Sequence, residues 1–308
     1  MSDARRRPLG PAILDILRMS TDEAHPIRQN DLLKRLAEMG YPATRKTLHR
    51  NLEALKEAGF PVAERGGWYY EHEFCPVELD LLVNSLLFNT AVPYHQSREL
   101  IGKISRLGGE HYTPTYQEGV YRLYNPQFFY SLEMITRAIE DDNQIMFHYC
   151  RFDVDKKLHP RMDEDGSPHE YLVNPYRVVM TNGRHYLIGN VDKYDSAAHF
   201  RVDRLQDVRV VHHSRKLARN VRDFENGFDL SNYMAEHVYM FTGQPRDARL
   251  RIERAIAGDV LDSFGMDVVF ENITDTHADA VFRSDYLSLK AWLARYGERA
   301  ELITPAEL

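Results

Sequence analysis

Residues 173–211 read VNPYRVVMTNGRHYLIGNVDKYDSAAHFRVDRLQDVRVV. Three runs rich in β-branched and aromatic residues are cut by turns, and Asn182-Gly183 lies between the first two. Asn-Gly supplies the positive-φ pair of a tight hairpin, so the stretch is expected to form neighbouring strands. Each strand also carries charged or aromatic residues that a plain barrel would not need: Arg177, His185, Tyr186, Arg201 and Arg204. Two physical readings stay open. In one, Arg201 and Arg204 pair with local carboxylates such as Asp203 and Asp207, and the tyrosines are half-buried packing. In the other, the guanidiniums hold an anionic ligand and the rings stack on it. Positions 201 and 204 are three apart, so a regular strand sends them to opposite faces. Both can meet one ligand only if the strand ends or bulges near Asp203, and Asp203-Arg204-Leu205 offers such a break.

Upstream, PQFFYSLEMITRAIEDDNQ (126–144) reads as a helix with Leu132, Ile135 and Ile139 on one side. IMFHYCRF (145–152) then opens the β-unit, and the polar DEDGSPHE (163–170) makes a turn. One helix followed by about five strands suits a small, strongly bent barrel over residues 129–214. Downstream, 215–240 reads as a connector. Residues 241–308 then run strand (ARLRIER), helix (AIAGDVLDSFG), two strands (MDVVFENI, HADAVFRS), helix (DYLSLKAWLARYG) and strand (RAELITP). That is the ferredoxin-like βαββαβ order.

The N-terminal third has a different rhythm. Ile13, Leu14, Ile16 and Leu17 share one helical face, Leu32, Leu33 and Leu36 a second, and Leu48, Leu52 and Leu55 a third. Thr44 is placed to cap the third helix and Gly59 to end it. PVAERGGWYYEHEF (61–74) then folds as a hairpin about Gly66-Gly67. Three helices and a hairpin give a winged helix-turn-helix over residues 1–73. Its third helix turns Arg45, Lys46 and His49 outward, with Thr47 and Arg50 on the flanks and no acid before Glu53. The start of a recognition helix meets base edges and phosphates, so Thr44, Arg45, Lys46, Thr47, His49 and Arg50 are the candidate DNA contacts. Residues 74–128 read as a helical connector, with Cys75 at a cap position before Pro76.

Charge supports this division. The chain of 308 residues has a formal net charge of −7. Residues 1–72 hold 12 Lys/Arg against 10 Asp/Glu, so the N-terminal unit is the part suited to a polyanion. Only Cys75 and Cys150 occur, which is no disulfide framework and fits a reducing cytoplasm. No apolar run reaches the roughly 20 residues of a membrane span, and MSDARRRPLG is not expected to be a signal peptide. Neither a P-loop nor a dinucleotide glycine fingerprint is present. DEDG fails as a calcium loop, because aligning Gly166 puts Arg161 and Leu172 at ligand positions. His212 and His213 point to opposite faces of a strand and cannot share a metal. Cys150 reads as a buried, inert thiol. No enzyme, metal or cofactor is therefore expected.

The ordered set of parts resembles the bacterial WYL-domain transcriptional regulators. His185-Tyr186-Leu187 stands where the family has its Trp-Tyr-Leu triplet, so the first residue departs. NPYRVV around Pro175, FRVDRL around Arg201 and Arg204, TRKTLHRNLEALKEAG in the third helix, and YMFTGQP with WLARYG and AELITP near the end carry the rest of the likeness. The resemblance implies a homodimeric, ligand-responsive regulator that binds double-stranded DNA. Its barrel would sense a nucleotide or single-stranded DNA through Tyr149, Tyr176, Arg177, Tyr186, Arg201 and Arg204, with His185 in place of the tryptophan. A titratable ring at 185 can alter stacking or make sensing depend on pH. A second reading is a regulatory interaction module of a nuclease or phage-defence system, with the winged helix used for protein contacts. A third, a hydrolase, lacks any visible nucleophile–base pair.

Overall fold

A computed structural model describes residues 8–115 and 125–304 of the chain. The basic run Arg5, Arg6 and Arg7 and the expected strand end at Pro305 lie outside the described residues. The chain divides into two compact units, Met1–Arg122 and Leu123–Leu308.

The first unit begins with α1 (Leu9–Ser20), α2 (Gln29–Glu38) and α3 (Arg45–Glu57), followed by β1 (Val62–Glu64) and β2 (Trp68–Tyr70). The three apolar stripes meet in one core: Ile13, Leu17, Leu32, Leu36, Leu48 and Leu52 are fully buried. Leu14, Leu33 and Leu55 lie at its margin. The hairpin turns at Gly66, whose φ of 71° is costly for a residue with a Cβ. It is seated on the α1–α2 loop, because Ile27 and Trp68 exchange both backbone hydrogen bonds at 2.8 Å. A Cβ at Gly67 would lie 2.7 Å from the Ile27 carbonyl oxygen, which explains the second glycine. The helices α4 (Pro76–Leu87) and α5 (Tyr94–Ser105) follow. Cys75 occupies the α4 cap, and its backbone N–H donates to Glu78 Oε2 at 2.8 Å. The segment after α5 is tied to the end of α1. Glu110 N–H donates to the Met19 carbonyl at 2.6 Å, and His72 bridges the carbonyl oxygens of Thr21 and Leu107 at 2.9 and 2.8 Å.

The second unit opens with α6 (Phe128–Glu140). Six strands follow: β3 (Asn143–Phe152), β4 (Leu158–Pro160), β5 (Glu170–Thr181), β6 (Arg184–Val191), β7 (Ala198–Arg201) and β8 (Leu205–Ser214). The hairpin at Asn182-Gly183 has positive φ at both residues, 50° and 68°. The sheet runs β4-β3-β5-β6-β7, with β8 also on β3. Among the described residues β7 and β8 are joined by a one-turn 3-10 helix, Val202–Arg204, rather than by a ladder. Two features differ from expectation. The strand β4 was not anticipated; it folds back on the far end of β3, pairing Leu158 with Phe152. Among the described residues no β7–β8 pairing closes the sheet, and the break near Asp203 lies between those two strands.

A buried polar lattice sits where β3, β5 and β6 adjoin. Gln144 Nε2 donates to Asn174 Oδ1 at 3.0 Å and to Asp192 Oδ1 at 2.9 Å. Asn174 Nδ2 donates to Asn190 Oδ1 at 3.0 Å, and Asn190 Nδ2 holds the carbonyls of Tyr194 and Ser196. Neither asparagine has any exposed surface.

The expected connector contains a short helix, α7 (Leu230–Glu236), capped by Asp229, whose carboxylate accepts from the Ser231 and Asn232 N–H groups. The remainder is β9 (Arg246–Glu253), α8 (Ala257–Phe264), β10 (Val269–Glu271), β11 (His277–Ser284), α9 (Tyr286–Tyr296) and β12 (Ala300–Thr304). These strands form an antiparallel sheet in the order β10-β11-β9-β12. Trp292, Leu250 and Ile252 lie in the core between it and its helices. The strand expected over 266–273 shortens to Val269–Glu271.

Candidate anion-binding cavity and basic helix face

In the first unit, Thr44 caps α3 and its Oγ1 accepts the Thr47 N–H at 3.2 Å. This fixes where the helix begins and so where its first turn points. Arg45, Lys46, His49 and Arg50 are exposed, while Thr47 is partly buried. None of the three cations enters an ion pair among the described residues, which leaves their charge open to a polyanion. The His49 ring lies 6.3 Å from that of Trp68, edge to face, so it packs on the hairpin base as well as facing outward.

In the second unit, the arginines of the 201–204 segment have separate fates. Arg201 makes a two-pronged bond to Asp203, Nε to Oδ1 at 3.0 Å and Nη2 to Oδ2 at 2.6 Å. Asp203 is 2% exposed. Arg184 approaches the same carboxylate at 3.7 Å. A buried carboxylate needs such partners, so Arg201 acts as a counter-ion inside the fold. Arg204 has no ion pair or hydrogen bond among the described residues, and its Nε is buried. It lines a cavity of about 540 Å³ together with Tyr149, Cys150, Arg151, Pro160, Arg161, Met162 and Tyr171. Three arginines therefore line this space, and no carboxylate residue does among the described residues. That chemistry suits an anion, and the two tyrosines supply faces for a planar group.

The surroundings hold these groups in place. The Tyr149 hydroxyl accepts the Arg201 backbone N–H at 3.3 Å, so the Arg201–Asp203 corner positions a cavity wall. Burial pushes the Tyr149 phenol above its ordinary range, against the pull of the Arg201 N–H and the nearby arginines. The Tyr171 hydroxyl accepts from Arg161 Nη1 at 3.3 Å. Burial, with Asp207 nearby, pushes the Cys150 thiol up to about 11, and its Sγ lies 3.2 Å from Gln206 Oε1. A thiol held protonated in this way is a poor nucleophile.

The other residues carried over from the resemblance do not line this cavity. Tyr176 is 5% exposed; it packs on Phe224 and donates its hydroxyl to the Lys216 carbonyl at 2.8 Å. It is the extra residue at a register shift in β5, between Pro175 and Arg177, and turns into that packing. Arg177 is exposed on β5. Tyr186 packs beside the same cluster as Tyr176. His185 meets the edge of Phe128 at 5.4 Å, and its Nδ1 is buried with no partner among the described residues. Burial holds this imidazole below its ordinary range, against the pull of Asp203, which makes it a neutral packing ring. Sequence reading missed Arg151, Arg161 and Tyr171. One signal was available, since Tyr149 and Arg151 are two apart on one strand and so share a face. Arg161 carried no such signal, because it follows β4 directly, and Tyr171 stands at the start of β5, opposite Phe147 of β3.

Among the described residues, no group of three or more His, Cys, Asp or Glu side chains is placed to hold a metal ion, and no helix is long and apolar enough to cross a membrane.

Residues 131–210 match the WYL domain, and the chain carries that domain from the first turn of α6 to β8. Among solved structures, the chain is similar to proteasome accessory factor B/C (PafBC) of Arthrobacter aurescens. The two share 17% identity over 99% of this chain and 48% of that one, with a TM-score of 0.31. This chain thus spans about half that protein's length, and so low a score does not equate the two arrangements. Comparison with curated proteins gave no match.

Proposed function

We propose, from the premise that residues 131–210 are a WYL domain, that this chain is a DNA-binding transcriptional regulator whose cavity senses an anionic effector. The first unit reads as a winged helix-turn-helix, the WYL segment as an Sm-like sheet, and the final βαββαβ unit as a ferredoxin-like extension. The observation that carries the sensing role is Arg204. Its Nε is buried without a hydrogen-bond partner among the described residues, and two further arginines but no acid stand among the described residues lining the cavity, which is chemistry suited to an anion. The effector class is a phosphate-bearing nucleotide or a short single strand of DNA, whose phosphates match guanidinium forks and whose bases match tyrosine faces.

On DNA, a homodimer would set one α3 in each half of an inverted repeat, with half-sites about 10 or 20 base pairs apart. Lys46→Ala and Arg50→Ala are each expected to weaken operator binding. Loss of one phosphate contact lowers the log–log salt slope by about one, whereas loss of a guanine contact costs about 1–3 kcal/mol at one base position. Unchanged affinity and slope in both variants would remove α3 from the interface. For the cavity, fluorescence anisotropy of a labelled oligothymidylate should show binding by the full chain that Arg204→Ala weakens at least tenfold. Equal binding by Arg204→Ala would end the pocket assignment.

A further inference from the structure

The first unit has a cavity of its own, about 550 Å³, between the hairpin and the start and end of the α4–α5 segment. Nothing in the regulator reading uses it. Its lining residues include Tyr69, Tyr70, Phe74 and Tyr112. Three histidines add to the aromatic surface: His25 and His111 stack at 4.0 Å with 16° between their planes, and His72 lies 5.2 Å from the Tyr70 ring. Seven residues with unsaturated rings thus stand around one space large enough for a small organic molecule. The shape depends on Gly108, where a Cβ would come within 2.6 Å of Tyr112 and 2.7 Å of Leu79.

The charge here is one-sided. Asp22, Glu23 and Glu71 line the cavity, and among the described residues no lysine or arginine does. Glu23 is partly offset by Arg65 at 2.8 Å, an exposed pair that weakly screens it. Asp22 is held by His25 and by the Ala24 and His25 N–H groups. Although burial opposes ionisation, these bonds keep its carboxyl below the ordinary range, so it remains an anion. The Glu71 carboxylate makes no ion pair or hydrogen bond among the described residues. Aromatic faces combined with unbalanced carboxylates are the chemistry that holds a cation, since the ring quadrupole and the acid attract the same charge.

We infer that this cavity is a binding site for a small aromatic or alkyl ammonium ion. The inference goes beyond the regulator reading and does not depend on it. The site borders the bonds that tie the segment after α5 to the end of α1, namely His72 to Leu107 and Glu110 to Met19. An occupant would therefore bear on how α4 and α5 are attached to the DNA-binding helices.

The test compares three probes of similar shape on the full chain: phenethylammonium, 2-phenylethanol and 3-phenylpropionate. Titration is followed by calorimetry and by the ring proton resonances of His25, His72 and His111. The cation should bind about tenfold more tightly than the alcohol, a ratio within the range of a partly desolvated cation–π contact, and should move all three histidine signals. The anion should move none. Glu71→Gln changes charge but not size at an exposed position, so folding is retained. It should weaken the cation severalfold and leave the alcohol unchanged. Phe74→Leu should weaken both. Equal binding of cation and alcohol, unmoved histidine signals, or indifference of the cation to Glu71→Gln would each overturn the assignment.

Discussion

The two cavities are nearly equal in volume and opposite in construction. The one in the first unit is walled by rings and hydrogen bonds to backbone carbonyls, and its fixed charges are carboxylates. The one in the second unit is walled by guanidiniums, and a buried Arg201–Asp203 pair braces it from behind. The second unit is also where the chain's excess of acid lies, so its arginine cluster runs against its surroundings. The comparison teaches that net charge by region predicts where a polyanion docks on an outer face and says little about the inside of a cavity. There, a few side chains set by strand register decide the chemistry.

If the second cavity rests on buried charge, deleting its brace should be the most damaging change. Arg201→Ala leaves Asp203 buried with only the 3.7 Å contact from Arg184, and stability should fall by about 3 kcal/mol in urea titration. Arg204→Ala removes a charge with no ion pair among the described residues and should leave stability within about 0.5 kcal/mol of wild type. Similar melting of both variants would erase the distinction between brace and ligand contact.

The same construction should respond to acid. Burial and the neighbouring His237 depress His199 on β7 to about 4 in the folded state. The unfolded chain takes up this proton near pH 6.5, so it binds more protons than the fold between about pH 6.5 and 4. Stability should therefore fall as pH drops through that window, by up to about 1.4 kcal/mol per unit, and be flat with respect to this group above it. A His199→Gln variant should lose that slope; a retained slope would assign it elsewhere.

The smallest effect expected is at the helix cap. Thr44→Ala removes the acceptor for the Thr47 N–H and should cost about 1 kcal/mol in the first unit, while ligand binding in the second is unchanged. Altered effector affinity in this variant would mean that the two units are not independent.

Much of the frame was legible because it is local. Thr44 as a cap, the Asn182-Gly183 turn and the break at Asp203 each follow from a few adjacent residues. The apolar stripes of α1 to α3 follow from helical period. The cavity was only half legible. Arg204 came from the strand break and Tyr149 from the resemblance, whereas Arg161 reaches the site through β4 and Tyr171 sits at the start of β5. Three residues with no alternating pattern do not announce a strand, and β4 exists only because β3 extends beyond its other partners. The misplacement of Tyr176 has a similar origin, since an irregularity in the β5–β6 register is invisible in the sequence that carries it.

The amide lattice of Gln144, Asn174 and Asn190 bears on how the sheet is assembled. Apolar residues forgive a sliding strand, because one methyl group can replace another. Amides do not: sliding β5 by one residue would turn Asn174 to the opposite face and strand its neighbours without partners, at about 1–3 kcal/mol for each group. The lattice thus acts as a proofreading key, rejecting near-miss alignments while the chain is still sorting its strands.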